Sequence, residues 1–266
     1  NATNITGTTT LGLKNSVTNS TVVVTNMNVD VVTANVITDL GVLNLGYAAG
    51  VAGNLNLSFV SQTEAATLAS TTINNAPTLT ITGDTGTIAG TNDFDSATGN
   101  LVAAGTTSLT VASTVSGLTL GTVTTAAATS MTTTSTSGIL IIGNVTAALL
   151  ESLSTTSAAG AQTIGTVGAA ALKTLTTTSG DGAFILGNVS AAALETVSIT
   201  GGVGAVSVGT IDATSGLLTT ISIVDGAGAG AIGAGNIDAN SAKVSALTDV
   251  TITNAGTATT TVGTLL

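Results

Sequence analysis

The most site-like stretch of this 266-residue chain is TNDFDSATGN, Thr91 to Asn100. Asp93 and Asp95 stand two apart, with Asn92, Ser96 and Asn100 beside them, Gly99 available for a turn, and Asp84 a few residues upstream. Carboxylate and amide oxygens at this density suit a hard cation, and calcium is the expected ion. The order of ligands and the closing Glu of an EF-hand are missing. The same residues also read as a solvated loop interrupting a repeat. Asp212 and Asp238, each directly after an Ile, either share a cation or open two turns.

Little else offers chemistry. The chain has no Cys, His, Trp or Arg, and its positive charges are Lys14, Lys173 and Lys243. Thirteen carboxylates set the net charge at -10, so nothing is available to neutralise phosphates and nucleic-acid binding is excluded. The carboxylates are scattered without an acid/base pair, and one Tyr and three Phe provide no platform for sugar stacking. No enzyme and no organic cofactor is expected. Ser96 to Leu150 carries no charge, but Thr, Ser and Gly interrupt it too often for a membrane-spanning helix. Aromatic residues at 2% cannot supply the girdles of an outer-membrane barrel, so an integral membrane protein is not expected. The chain opens on Asn1 with no signal-peptide pattern before it, which is read as a processed, exported protein.

Any such loop needs a framework, and the repeats describe one. Gly121, Gly143, Gly165, Gly187 and Gly209 are spaced 22 residues apart, each preceded by an aliphatic residue and followed by alternating Thr and Asn, then Val or Ile. Leu109, Met131, Leu153, Leu175 and Val197 keep the same interval, with Leu79 before them and Ile221 and Val250 after. The next residue is a hydroxyl every time: Thr80, Thr110, Thr132, Ser154, Thr176, Ser198, Ser222 and Thr251. Period-2 alternation turns the apolar residues inward and the hydroxyls outward. One such unit cannot bury its own apolar face; stacked at about 4.8 Å on its neighbours it builds a continuous core. The glycine column marks a bend where a side chain would clash or φ must be positive. Ala147, Ala148, Ala169 to Ala171 and Ala191 to Ala193 are expected to fill the narrow end of the coil. Extra residues after Ile211 and Ile237 are expected to bulge outward. Glu151, Lys173 and Glu195 share one column, which places Lys173 between two carboxylates.

Residues 1–78 do not keep the 22-residue count and read as an irregular β-rich cap or interaction segment, bounded by Pro77; residues 79–266 form the repeat domain. Val24 to Val32 alternates as a strand with Met27, Val29 and Val31 on one side, while Ser61 to Ser70 allows one or two helical turns.

The segments LETVSIT and VGTI resemble the short bacterial type of leucine-rich repeat. The Thr-, Ala-, Gly- and Val-rich, Cys-free composition is similar to bacterial surface-layer (S-layer) proteins and related β-strand-repeat surface proteins, several of which use β-solenoids that assemble with calcium. The fold expected is therefore all-β: a parallel β-solenoid of about 22-residue rungs, either a right-handed β-helix or leucine-rich-repeat-like in cross-section. The function expected is structural and extracellular, at the cell surface: self-assembly into a layer, sheath or filament, with Ca²⁺ and cell-surface polysaccharide as candidate partners.

A second outward column, Thr82, Thr134, Thr156, Thr178, Thr200 and Thr253, makes a T-x-T array with the first. It fits an adhesin stalk or an ice-binding face, and it equally reflects the good strand propensity of Thr. Six N-x-S/T sequons, at Asn1, Asn4, Asn19, Asn56, Asn144 and Asn188, are common by chance in so Thr-rich a chain; Asn144 and Asn188 fit better as members of a rung ladder.

Overall fold

A computed structural model of the chain describes residues 2–3, 7–13, 21–37, 40–59, 68–83, 91–93, 100–114, 117–213, 217–226, 230–238 and 247–265. They form an all-β solenoid in which every strand pair is parallel. Alternating side chains and a 22-residue return leave no other economical pairing, since each strand meets the next one only after a full coil.

One coil shows the plan. Ser152–Ser157 lies in sheet 1, Gln162–Ile164 in sheet 2 and Val167–Gly168 in sheet 3, after which a turn leads to Thr174–Ser179 in sheet 1 of the next rung. Among the described residues, sheets 1 and 3 have eleven strands each and sheet 2 has eight. Of the two cross-sections left open above, the structure has the β-helical one, with sheet on three sides. The glycine column marks a bend, as expected: Leu140–Ile142 and Val145–Thr146 meet at a corner made by Gly143 and Asn144.

The register is that of the repeat. Leu109, Met131, Leu153, Leu175, Val197, Ile221 and Val250 stack in one column of sheet 1. Val123, Val145, Val167, Val189, Ile211 and Ile237 stack in sheet 3, and Leu140, Gln162, Phe184, Val206 and Ile232 in sheet 2. Apart from Val250 on the last rung, these side chains are buried and form one continuous core. Each fully buried Leu, Ile, Val or Phe contributes about 1.5–3 kcal/mol.

At the turn from sheet 3 to sheet 1, the amides of Leu150 and Leu172 donate to Ala147 and Ala169 carbonyls at 3.0 Å. Ala147, Ala169 and Ala191 are buried as expected, but Ala148 and Ala170 face outward. A four-residue turn points only its first and last side chains inward, so Leu150, Leu172 and Leu194 complete the core there. The bulges expected after Ile211 and Ile237 lie outside the described residues.

The strands before Pro77 join the same sheets. Thr33–Val36 pairs with Leu55–Phe59, which pairs with Thr78–Thr82, which pairs with Ser108–Ser113. The Val24–Val32 strand is shorter than its alternation suggests: it ends at Met27, and the Val29 amide donates to Asn28 Oδ1 at 2.7 Å. A turn closed by the Val31 amide on Asn28 O at 3.1 Å, preceded by Asn26 at φ 59°, leaves Val29 exposed while Met27 and Val31 are buried. Leu68 to Ser70, where helix was allowed, begin the strand Leu68–Asn74; residues 61–67 lie outside the described residues. Among the described residues no helix is long and apolar enough to cross a membrane.

Candidate functional site

The corners of the coil hold the polar side chains, and hydrogen bonding between rungs explains their spacing. Asn144 Oδ1 accepts the Thr166 amide of the next rung at 3.0 Å, and Asn188 Oδ1 accepts the Thr210 amide at 2.9 Å. Asn100 to Thr122 and Asn236 to Thr264 repeat the contact at 3.1 and 2.9 Å. The alternation of Asn and Thr is thus a hydrogen-bond ladder in which each Asn satisfies a main-chain donor that no strand partner reaches.

The glycines beside it exist for clearance. A Cβ on Gly143 would lie 2.6 Å from Gly121 O, and one on Gly165 or Gly209 would lie 2.8 or 2.5 Å from the Asn amide oxygen above it. Gly187 meets the Gly165 carbonyl carbon at 2.8 Å. None of these four has positive φ, so close approach of rungs decides between the two reasons allowed for the column.

A second corner, between sheets 1 and 2, uses columns absent from the expectations above, although the 22-residue interval carries both. Ser113, Ser135, Ser157 and Ser179 are buried at the end of sheet 1. Ser135 and Ser179 donate to the carbonyls of Gly138 and Gly182 at 2.5 and 2.6 Å, and Ser157 donates to Gly160. A Cβ on Gly160, Gly182 or Gly204 would come within 2.2 Å of the carbonyl oxygen in the rung before.

The outward face of sheet 1 is the one extended regular surface the sequence singles out. The hydroxyl column runs in register from Thr80 to Thr251 and continues backwards through Asn56 and Thr33 to Thr10. Thr82, Ala112, Thr134, Thr156, Thr178, Thr200, Val224 and Thr253 form the column beside it. Thr133, Thr155 and Thr177 belong to the inward side and are buried.

The charge column is in place: main-chain bonds stack Glu151, Lys173 and Glu195 on successive rungs. Lys173 Nζ lies 3.1 Å from Glu151 Oε1, the one ion pair among the described residues.

The candidate calcium ligands are not gathered by what is described. Asp84 and Asp95 lie outside the described residues. Asp93 ends the strand Thr91–Asp93 of sheet 2, paired to Thr119, while Asn100 opens Asn100–Val102 of sheet 3 and already accepts the Thr122 amide. Asp212 and Asp238 are direct neighbours in sheet 3. Among the described residues no three acidic side chains group as a metal site.

Among the described residues, Val250 and Ile252 continue the inward columns of Ile221 and Ile223, which are at most 1% exposed, and are themselves 40% and 45% exposed. No family model, curated protein or solved structure matches the chain.

Proposed function

We propose that this is a structural, extracellular protein that self-assembles into a filament, sheath or surface layer. The observation that carries the reading is the regular stack of parallel strands, in which sheet 1 repeats the same outward residues from rung to rung. A contact between copies made on such a face recurs along it, and a heterologous contact extends indefinitely unless a rotation closes it.

Electron microscopy and light scattering on purified protein, with and without calcium, test this. Filaments or lattices are expected. A wild type that stays monomeric at high concentration in both conditions overturns the reading.

A second reading is favoured by the two hydroxyl columns of sheet 1. Side chains repeating at strand spacing on a flat, weakly charged face suit a regular ligand such as ordered water or a cell-surface polysaccharide. Arrest of ice growth, or retention on a polysaccharide column, by a monomeric protein would select it over assembly; loss of either activity in Thr156→Tyr would place it on this face.

A further inference from the structure

Sheet 2 turns an apolar face outward. Ile141, Thr163, Ile185 and Ser207 stack in its outward column, and Ile139 heads a neighbouring column continued by Ala161 and Ala183. Ile139, Ile141 and Ile185 are 53%, 38% and 47% exposed. None of these residues is charged, in a chain whose net charge is -10. Ile141 and Ile185 stand two rungs apart, about 9.6 Å, with the shorter Thr163 between them.

Another side of the coil carries the matching relief. Thr146, Ala148, Gly168, Ala170, Ser190 and Ala192 line an open groove of about 270 Å³ along sheet 3 and the turn that follows it. No charged residue lines it. Gly168, between Thr146 and Ser190 in register, is unlike the corner glycines. A Cβ there would meet nothing closer than Val145 O at 3.8 Å, and its φ is not positive. Neither clearance between rungs nor backbone conformation requires a glycine at this position. A strand glycine without either reason weakens the strand and marks the close approach of another molecule.

We infer that the isoleucine face of sheet 2 in one copy seats in the Gly168 groove of the next copy. This rests on the self-assembly proposed above and names the two surfaces that make the contact. With Ile185 over Gly168, strand spacing sets Thr163 and Ser207 against the groove shoulders, Thr146 and Ser190. The long side chain faces the gap and the short ones face the shoulders. Neither surface presents a carboxylate, so the charges that make copies repel stay outside the contact. An apolar protrusion and a pocket elsewhere on the same molecule form a heterologous contact, which propagates from copy to copy. A face a few rungs long and one strand wide covers roughly 300 Å², against about 800 Å² for each partner in a stable complex. A single contact is therefore weak, and assembly sets in above a threshold concentration.

Light scattering and electron microscopy over a concentration series compare the full-length wild type with Ile185→Asp, Gly168→Phe, Ala170→Phe and a sheet 1 control, Thr132→Asp. Circular dichroism identifies any variant that fails to fold, and two groove variants keep the test open if one does. Ile185→Asp and the groove variants are expected to raise the threshold at least tenfold, and Thr132→Asp to leave it unchanged. A wild type that never assembles removes the self-assembly reading and this contact with it. Assembly that survives Ile185→Asp overturns this contact alone and leaves self-assembly standing. Assembly lost in Ile185→Asp but kept in the folded groove variants does the same, because sheet 2 then meets some other surface.

Discussion

Lys173 Nζ lies 3.1 Å from Glu151 Oε1, although the two residues are 22 positions apart in sequence. One full turn of the coil brings them together, and Glu195 stacks on the next turn. Both partners are about half exposed, so the pair contributes about 0.2–1 kcal/mol at most. Lys173→Glu removes it and stacks three like charges. A fall in Tm of about 2–4 °C is expected, shrinking as salt is added. A thermal melt at low and high ionic strength checks both.

The glycine columns predict a sharp contrast between chemically identical substitutions. Gly160→Ala would place a Cβ 2.0 Å from Gly138 O and should cost about 3 kcal/mol or more, because main chain in two rungs must separate. Gly233→Ala meets nothing within 4 Å and should be neutral or stabilising by about 0.5 kcal/mol. Denaturant unfolding of the two variants decides.

Buried hydroxyls in the inward column are a local mismatch in an otherwise consistent core. Thr133 Oγ1 accepts from Gln162 Nε2 at 2.9 Å, but Thr155 Oγ1 and Thr177 Oγ1 have no partner among the described residues. Replacing an unpaired buried hydroxyl by a methyl of the same shape should stabilise, by about 1 kcal/mol for Thr155→Val. Thr133→Val should gain less, since it strands the Gln162 amide. Paired melts of the two variants rank them.

Tyr47 donates its hydroxyl to Val31 O at 2.5 Å, and its ring packs against Gly53. Burial pushes its pKa up to about 12 from the usual 10. With the folded value raised, the folded state holds the proton more tightly; its contribution to stability is complete below pH 10 and is lost as pH rises from 10 to 12. The chain has one Tyr and no Trp, so phenolate absorbance reports this group alone. It should titrate near pH 12 while the protein is folded and near 10 in denaturant.

The spacing of a few residue types was enough to read the stacking. A 22-residue return with period-2 alternation is the one-dimensional trace of strands lying over one another, so the Leu109 column, the hydroxyl column and the order Glu151, Lys173, Glu195 were all legible before any coordinate. What spacing does not record is which sheets the chain joins on either side of a bend and how near neighbouring rungs approach. Only the tertiary structure gave Leu140–Ile142 and Val145–Thr146 to different sheets and assigned the glycines to clearance rather than to positive φ. It also joined the irregular first strands to the same sheets. Those outcomes depend on distances across rungs, which follow from backbone packing in three dimensions and leave no periodic mark on a single chain.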